Sequence, residues 1–365
     1  MAGSNIPVIC HSDPSTIIEI ISLWLIGATP ILLSKKDPEA ETSRKIMQVG
    51  TSLEYSEELR IIFFTSGSQG NPKPVLHTLE NLIKSAQASV DFYGINSTDR
   101  YLVSLPLNHV GGLMIIIRSI LAKCLCVFPE NEIPLKNYNP TMLSLVPTQL
   151  LRLKDEEFLK TAKAILVGGN ALLKSLTPKI KELPISLTYG MTESAAQVAA
   201  SKPFTEEMEI LPGREIKISK EGNILIKGGM GKYLNQSEIL DNDGFFQTSD
   251  KGAIVDGHLK VFGRDDKIFI RGGENISPQE IEDFTLNIPD ISFSKVIPVK
   301  DEKYGQIPVL FYCAKRNIAA EEFNQYLKIN LAPYKIPHNF IKVPENVDLK
   351  WNERELMSLY EAKLQ

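Results

Sequence analysis

The stretch FFTSGSQGNPKPV, residues 63 to 75, sets two aromatics before a run of hydroxyl and glycine residues that closes on Pro72 and Lys73. A Gly/Ser/Thr-rich turn after a buried strand directs backbone N–H groups and hydroxyls into one concavity, which is what a polyphosphate needs. Lys73 adds a mobile positive charge. The stretch is not the common P-loop, which runs Gly-Lys-Ser/Thr straight into a helix, and the prolines flanking Lys73 resist helix. Taken alone it reads as a phosphate cradle or as an ordinary loop, and the rest of the chain has to decide.

Working outward, 365 residues suffice for two or more packed units, because single cores seldom grow beyond about 250 to 300 residues. With 43% hydrophobic residues, 23% charged residues and a net charge of −4, the composition is that of a globular protein. It points to neither a nucleic-acid nor an anionic-membrane partner. The most apolar segment, IIEIISLWLIGATPILLS (17 to 34), is interrupted by Glu19, Ser22, Gly27 and Pro30 and falls short of the roughly 20 apolar residues that cross a bilayer. It has no basic leader or cleavage site. We expect a buried helix to about Ile26, a turn, a short strand at Ile31 to Leu33, no stable membrane insertion and a cytoplasmic chain. Cys124 and Cys126, expected on opposite faces of a strand, suit neither a disulfide nor zinc. The five histidines form no metal-ligand pair at helical spacing.

Through the first 200 residues, apolar runs at 61–65, 101–105, 125–128, 142–146 and 164–167 read as short buried strands, with helical segments at 81–92 and 112–122 between them. The alternation predicts an α/β unit with largely parallel strands. After Phe204, Gly- and Asp-rich turns punctuate a β meander. Past Gly263 the pattern shifts to strand 267–270, helix 277–286, strand 294–299 and helix 319–331. We therefore expect a fold of the α/β class: an N-terminal domain over 1–263 with a β-rich subdomain, then a small mobile α+β domain over 264–365, joined at GRDDKIFIRGG.

In this setting TSGSQGNPK resembles the phosphate loop of the acyl-adenylate-forming enzymes, usually Thr-Ser-Gly-Ser/Thr-Thr-Gly-x-Pro-Lys, with Gln69 where threonine is usual. SLPLNHVGG (104–112) is similar to that superfamily's Pro-Leu-x-His element, and LVGGNAL (166–172) to its Gly-Gly turn beside the acyl pocket. LTYGMTES (187–194) resembles its adenine and magnesium motif, QTSDKG (247–252) its ribose-binding segment, and GRDDKIFIRGGENISPQEIE (263–282) its hinge. Six such motifs in the family's order are strong where one is weak. Within the superfamily, the KPVLHT, LVSLPLNHVGG, LPGREIKI and GGENISPQEIE stretches are most similar to ligases that join o-succinylbenzoate to CoA.

The resemblance implies a two-step ligase whose partners are ATP, Mg²⁺, CoA and a small carboxylic acid. Thr65, Ser66, Gly67, Ser68 and Gly70 would wrap the leaving phosphates, with Lys73 offsetting their charge. Tyr189 would stack on adenine beside Gly190, Thr192 would contact the α-phosphate, and Glu193 would hold Mg²⁺. Asp250 and Arg264 would grip the ribose. Gly168, Gly169 and His109 would border the acyl pocket. Arg118, alone with Ser119 in the apolar run LMIIIRSILA, would bind a second carboxylate of the acid; an internal ion pair is the competing reading. Read structurally, Thr192 is a helix N-cap and Asp250 a turn aspartate.

Toward the C-terminus, Asp266 falls at the hinge position, and Gly272 and Gly273 on a strand edge that passes the pantetheine arm. Lys350, in DLKWNERELMSL, takes the place of the adenylation lysine. There Leu349 replaces the family's glycine and Arg354 sits one place late. Other acids, aryl or fatty, fit the same motifs, as does a degenerate nucleotide-binding protein without turnover. No Gly-Lys-Ser/Thr motif supports a kinase or ATPase.

Overall fold

A computed structural model describes residues 3–37, 39–50, 56–65, 72–130, 132–153, 156–168, 182–205, 207–234, 240–264, 269–271, 274–276, 278–301, 304–331, 333–344 and 351–364. The chain opens with β1 (Asn5–Cys10), α1 (Pro14–Leu25), β2 (Thr29–Ser34), α2 (Glu39–Val49), β3 (Arg60–Phe64) and β4 (Pro74–Thr78). Strands β1, β2 and β3 are parallel, and β4 returns antiparallel to β3. The opening stretch is thus the connection between β3 and β4, closed at its base where Thr65 N–H donates to the Lys73 carbonyl at 3.0 Å.

The next unit alternates as its apolar runs predict: α3 (Leu79–Tyr93), β5 (Arg100–Leu102), α4 (Val110–Ala122), β6 (Leu125–Val127), β7 (Met142–Leu145), α5 (Pro147–Leu153), β8 (Ala164–Val167) and β9 (Ile185–Met191). Its strands are parallel in the order β6-β5-β7-β8-β9. Met142, Ala164 and Leu166 face the core under α3 and α4, whereas Leu143, Leu145, Ile165 and Val167 enter a second core on the other face. A strand covered on both faces has no solvent side, which is why these read as unbroken apolar runs.

The meander does not stand apart from this unit. β10 (Ala196–Ser201), β11 (Met208–Ile210), β12 (Glu215–Ile218), β13 (Asn223–Lys227), β15 (Phe246–Val255) and β16 (His258–Arg264) extend the same sheet from β9 to eleven strands. The short β14 (Lys232–Tyr233) leaves it to pair with β4. From Phe269 onward β17 (Phe269–Arg271), β18 (Glu274–Ile276), β19 (Ile291–Asp301), β20 (Gly305–Ala314) and β21 (Asn339–Lys342) form a separate sheet. It has its own cores, one around Phe323 and Leu310 and one around Phe311 and Leu356.

Two expectations need correction. Helix α1 forms where expected, with Asp13 accepting from Ser15 N–H as its cap, but it is not buried. Only Thr16 and Ile20 are fully buried and Ile17, Leu23 and Trp24 partly so, while Ile18 is 65% and Leu25 82% exposed. Cys124 and Cys126 do not take opposite faces: both lie against the Ser119 hydroxyl. Strand side chains repeat every two residues, so positions i and i+2 share a face. Among the described residues no helix is long and apolar enough to cross a membrane.

Candidate active site

Ligands of open α/β sheets collect beyond the carboxyl ends of the strands, and here those ends carry the motifs. His109 follows β5, Gly168 follows β8, and Thr192 and Glu193 follow β9, all on neighbouring or next-neighbouring strands of one parallel sheet. Beyond β3 comes Thr65. Ser66, Gly67, Ser68, Gln69, Gly70, Gly169, Asp266, Gly272, Gly273 and Lys350 lie outside the described residues, and of Arg264 only the backbone is described.

The turn after β9 does not start a helix. Thr192–Ser194 is a single 3₁₀ turn whose cap is Met191, its N–H held by the Ser194 hydroxyl at 3.1 Å, so Thr192 is no N-cap. The chain then reverses into β10 through Ala195 and Ala196, both at positive φ (52° and 75°), a costly conformation for residues with a Cβ. Gly190 is required by this reversal, because a Cβ there would lie 1.7 Å from the Ala196 carbonyl oxygen.

What holds the turn is a carbonyl-by-carbonyl set of donors from four other segments. His77 Nε2 on β4 donates to the Thr192 carbonyl at 2.7 Å, and Gly231 N–H donates to that of Glu193 at 2.7 Å. Arg214 Nη2 donates to that of Ser194 at 2.7 Å, and the Ser85 hydroxyl on α3 to that of Ala195 at 2.6 Å. Burial pushes the His77 pKa down to about 4, so the ring is neutral at pH 7 and its Nδ1 is buried without a partner. Burial likewise pushes Arg214 down to about 10. Sequence reasoning missed His77, Ser85, Arg214 and Gly231. Nothing local marks them, since each acts on a turn far away in the chain.

Around this turn the expected residues assemble. The Tyr189 hydroxyl donates to Asp250 Oδ2 at 2.8 Å, bringing the adenine and ribose candidates together. Asp250 is paired in register with Arg264 across β15 and β16. The Tyr233 hydroxyl donates to Glu193 Oε1, and the Lys73 ammonium lies 5.3 Å from the centre of the Tyr233 ring. Gly168 N–H reaches the Leu145 carbonyl at 3.3 Å.

His109 caps α4 with its backbone at φ −100° and is exposed. Gly112 in the next turn is needed there, because a Cβ would meet the Pro106 carbonyl oxygen at 2.1 Å. Arg118, 3% exposed, does not form an internal ion pair with any described residue. It donates through Nη2 to Gln197 Oε1 at 3.0 Å and through Nη1 to the Tyr101 hydroxyl at 3.4 Å, while its Nε is buried without a partner. Gln197 stands opposite Gly190 in the β9–β10 ladder, so Arg118 lies directly behind the turn. Ser89 donates to the same Gln197 oxygen at 2.6 Å. Nearby, burial pushes the Tyr93 hydroxyl well above the usual phenol range, so it stays protonated.

A magnesium ion suits this donor set: it typically takes one or two carboxylates and fills its remaining positions with water and substrate phosphates. Glu193 supplies one hard oxygen, with Lys73 near for the phosphates. Among the described residues no cluster of three acidic, histidine or cysteine side chains offers a metal cage.

The AMP-binding enzyme family matches residues 13–232, and the AMP-binding enzyme C-terminal domain matches residues 280–350. The 2-succinylbenzoate–CoA ligase of Bacillus licheniformis is 33% identical over 334 residues, 82% of this chain and 70% of that protein. That of Lactococcus lactis is 32% identical over 364 residues, 93% of this chain and 76% of that protein. Among solved structures, an E. coli MenE variant with bound OSB-AMS superposes with a TM-score of 0.84 at 25% identity, covering 100% of this chain and 89% of that one. O-succinylbenzoate coenzyme A synthetase from Bacillus subtilis, in complex with ATP and magnesium ion, gives 0.80 at 25% identity, covering 98% and 90%.

Proposed function

The chain belongs to the AMP-binding enzyme family, and from that premise we propose that it is an ATP-dependent ligase that adenylates o-succinylbenzoate and passes the acyl group to CoA. One observation carries the reading. A single strand and turn, residues 189 to 193, meets the ribose candidate Asp250 at one end and, through Tyr233, the phosphate-loop lysine Lys73 at the other. A nucleoside triphosphate laid along it would find adenine, ribose, α-phosphate and leaving-phosphate partners in chemical order.

A carboxylate resists thiol attack because its charge repels nucleophiles and oxide leaves poorly. Adenylation removes both obstacles. In the first step a carboxylate oxygen attacks the α-phosphorus and pyrophosphate departs with the phosphorus–oxygen bond electrons. Thr65, Ser66, Gly67, Ser68, Gly70 and Lys73 would take the charge of the departing phosphates, with Thr192 on the α-phosphate. Glu193 would hold Mg²⁺, which when bound neutralises phosphate charge. In the second step the CoA thiol attacks the acyl carbon and AMP leaves.

The acid would enter past His109, Gly168 and Gly169, with Arg118 meeting the carboxylate that is not activated. Its unpartnered Nε and the lack of a carboxylate partner among the described residues support this. Its 3% exposure favours a second reading, in which Arg118 positions the turn through Gln197. In the domain beyond residue 263, Lys350 would serve adenylation, Gly272 and Gly273 would flank the thiol arm, and rotation near Asp266 would exchange them. The four free cysteines accord with a reducing cytoplasm.

Hydroxylamine trapping of the acyl-adenylate, run across a panel of acids with pyrophosphate release as the second readout, tests the proposal. The expected result is ATP-dependent trapping strongest with o-succinylbenzoate. Faster trapping with benzoate or a medium-chain fatty acid would overturn the choice of acid, and no trapping with any acid would overturn the ligase reading.

A further inference from the structure

Lys73 and Glu193 are opposite charges assigned to the same polyphosphate, and without it they have every electrostatic reason to close on each other. Among the described residues no ion pair joins them. Between them stands Tyr233, half-buried, with its ring face toward the lysine ammonium at 5.3 Å and its hydroxyl on the glutamate. Its place is fixed from both sides. Tyr233 is in register with Val75, two residues past Lys73, and Leu234 N–H donates to the Pro74 carbonyl at 3.2 Å. Two residues earlier, Gly231 N–H donates to the Glu193 carbonyl at 2.7 Å. Residues 231–234 therefore stitch the strand leaving the phosphate loop to the turn that carries the glutamate.

A phenol is suited to this task. Its face attracts a cation without neutralising it, and its hydroxyl donates to a carboxylate without a competing charge. Each charge is held but neither is spent. With Oε1 engaged, Glu193 Oε2 is the oxygen left for a metal.

We propose that Tyr233 is a positioning residue that keeps Lys73 and Glu193 apart and presents the free oxygen of Glu193 to Mg²⁺. This deepens the ligase reading and rests on it. The test is binding, not turnover. Mn²⁺ binding in the presence of ATP is followed by electron paramagnetic resonance, and metal-free ATP binding in chelator by calorimetry, with adenosine as control. Tyr233→Phe keeps the spacer and loses the hydroxyl, so Mn²⁺ should bind about tenfold more weakly, the worth of one charge-assisted hydrogen bond, with adenosine unchanged. Tyr233→Ala should also weaken metal-free ATP binding, because Lys73 is then captured by Glu193. Adding Glu193→Gln to Tyr233→Ala should restore it, a rescue that a merely structural role for the ring would not produce. Wild-type affinities in both Tyr233 variants, or no rescue by the double variant, would overturn the inference alone. Failure of the wild-type protein to bind ATP would overturn the ligase reading and this inference with it.

Discussion

Helices α1 and α4 are the two most apolar among the described residues, and each carries one charge, Glu19 in the first and Arg118 in the second. Their fates are opposite. In α4 every residue from Val110 to Ser119 except Gly111 is buried, Arg118 included. In α1 two residues are buried, and Ile18, Ile21 and Leu25 form an exposed stripe at helical spacing. The difference is cover. α4 is packed with α3 and the sheet into the largest core along nearly its whole length, whereas α1 reaches that core through Ile20, with Ile17, Leu23 and Trp24 partly buried beside it, lies on β1 and β2, and ties to β3 through the Trp24 indole N–H on the Arg60 carbonyl at 2.8 Å. Glu19 keeps its water. Arg118 had to be given partners, because a buried charge is tolerated only when hydrogen-bonded.

The contrast is sharpened most by removing the charge of α4. Arg118→Met keeps the bulk of the side chain, so the melting temperature should hold or rise. Pyrophosphate release with o-succinylbenzoate should fall about 10- to 100-fold, the loss of one or two charge-assisted hydrogen bonds. A rise in KM for the acid with KM for ATP unchanged marks contact with substrate. A fall in kcat alone marks Arg118 as the support of the turn behind Gln197. Next in size is the packing of the same helix: Ile115→Ala, at a fully buried position, should destabilise the protein by about 2 to 5 kcal/mol in urea denaturation. Smallest is the matching change on α1. Leu25→Ser, at 82% exposure, should stay within about 0.5 kcal/mol of wild type, and a cost equal to that of Ile115→Ala would show that this face is covered in solution.

The same pair of helices marks how far the sequence can be read. Periodicity and apolar runs located β3, β7, β8, α3 and α4 within a residue or two, because strands covered on both faces read as unbroken apolar runs and a helix repeats its buried face at helical spacing. They placed α1 correctly and misjudged its surroundings, since apolarity states what a helix would bury and not what the chain supplies to cover it. Sheet membership was less legible still. The turn-rich stretch after Phe204 reads as a β-rich subdomain, and nothing in it announces that its strands join the parallel sheet by way of β10 and β11. Tyr189, Asp250, Lys73 and Glu193 were legible because their motifs are local. Tyr233, His77 and Arg214 were not, because their partners lie 40, 115 and 20 residues away.

Those separations have a consequence for how the site comes into being. Four carbonyls of one turn wait for donors delivered by β4, α3, the segment before β12 and the segment before β14, the farthest 115 residues upstream. Contacts of such long range close late in folding. Until all four donors arrive, the turn has no reason to hold two alanines at positive φ, and the groups it displays have no common geometry. Capacity to engage nucleotide therefore certifies that the segments from β4 to β14 have come together, which a chain not yet synthesised past Gly231 cannot counterfeit.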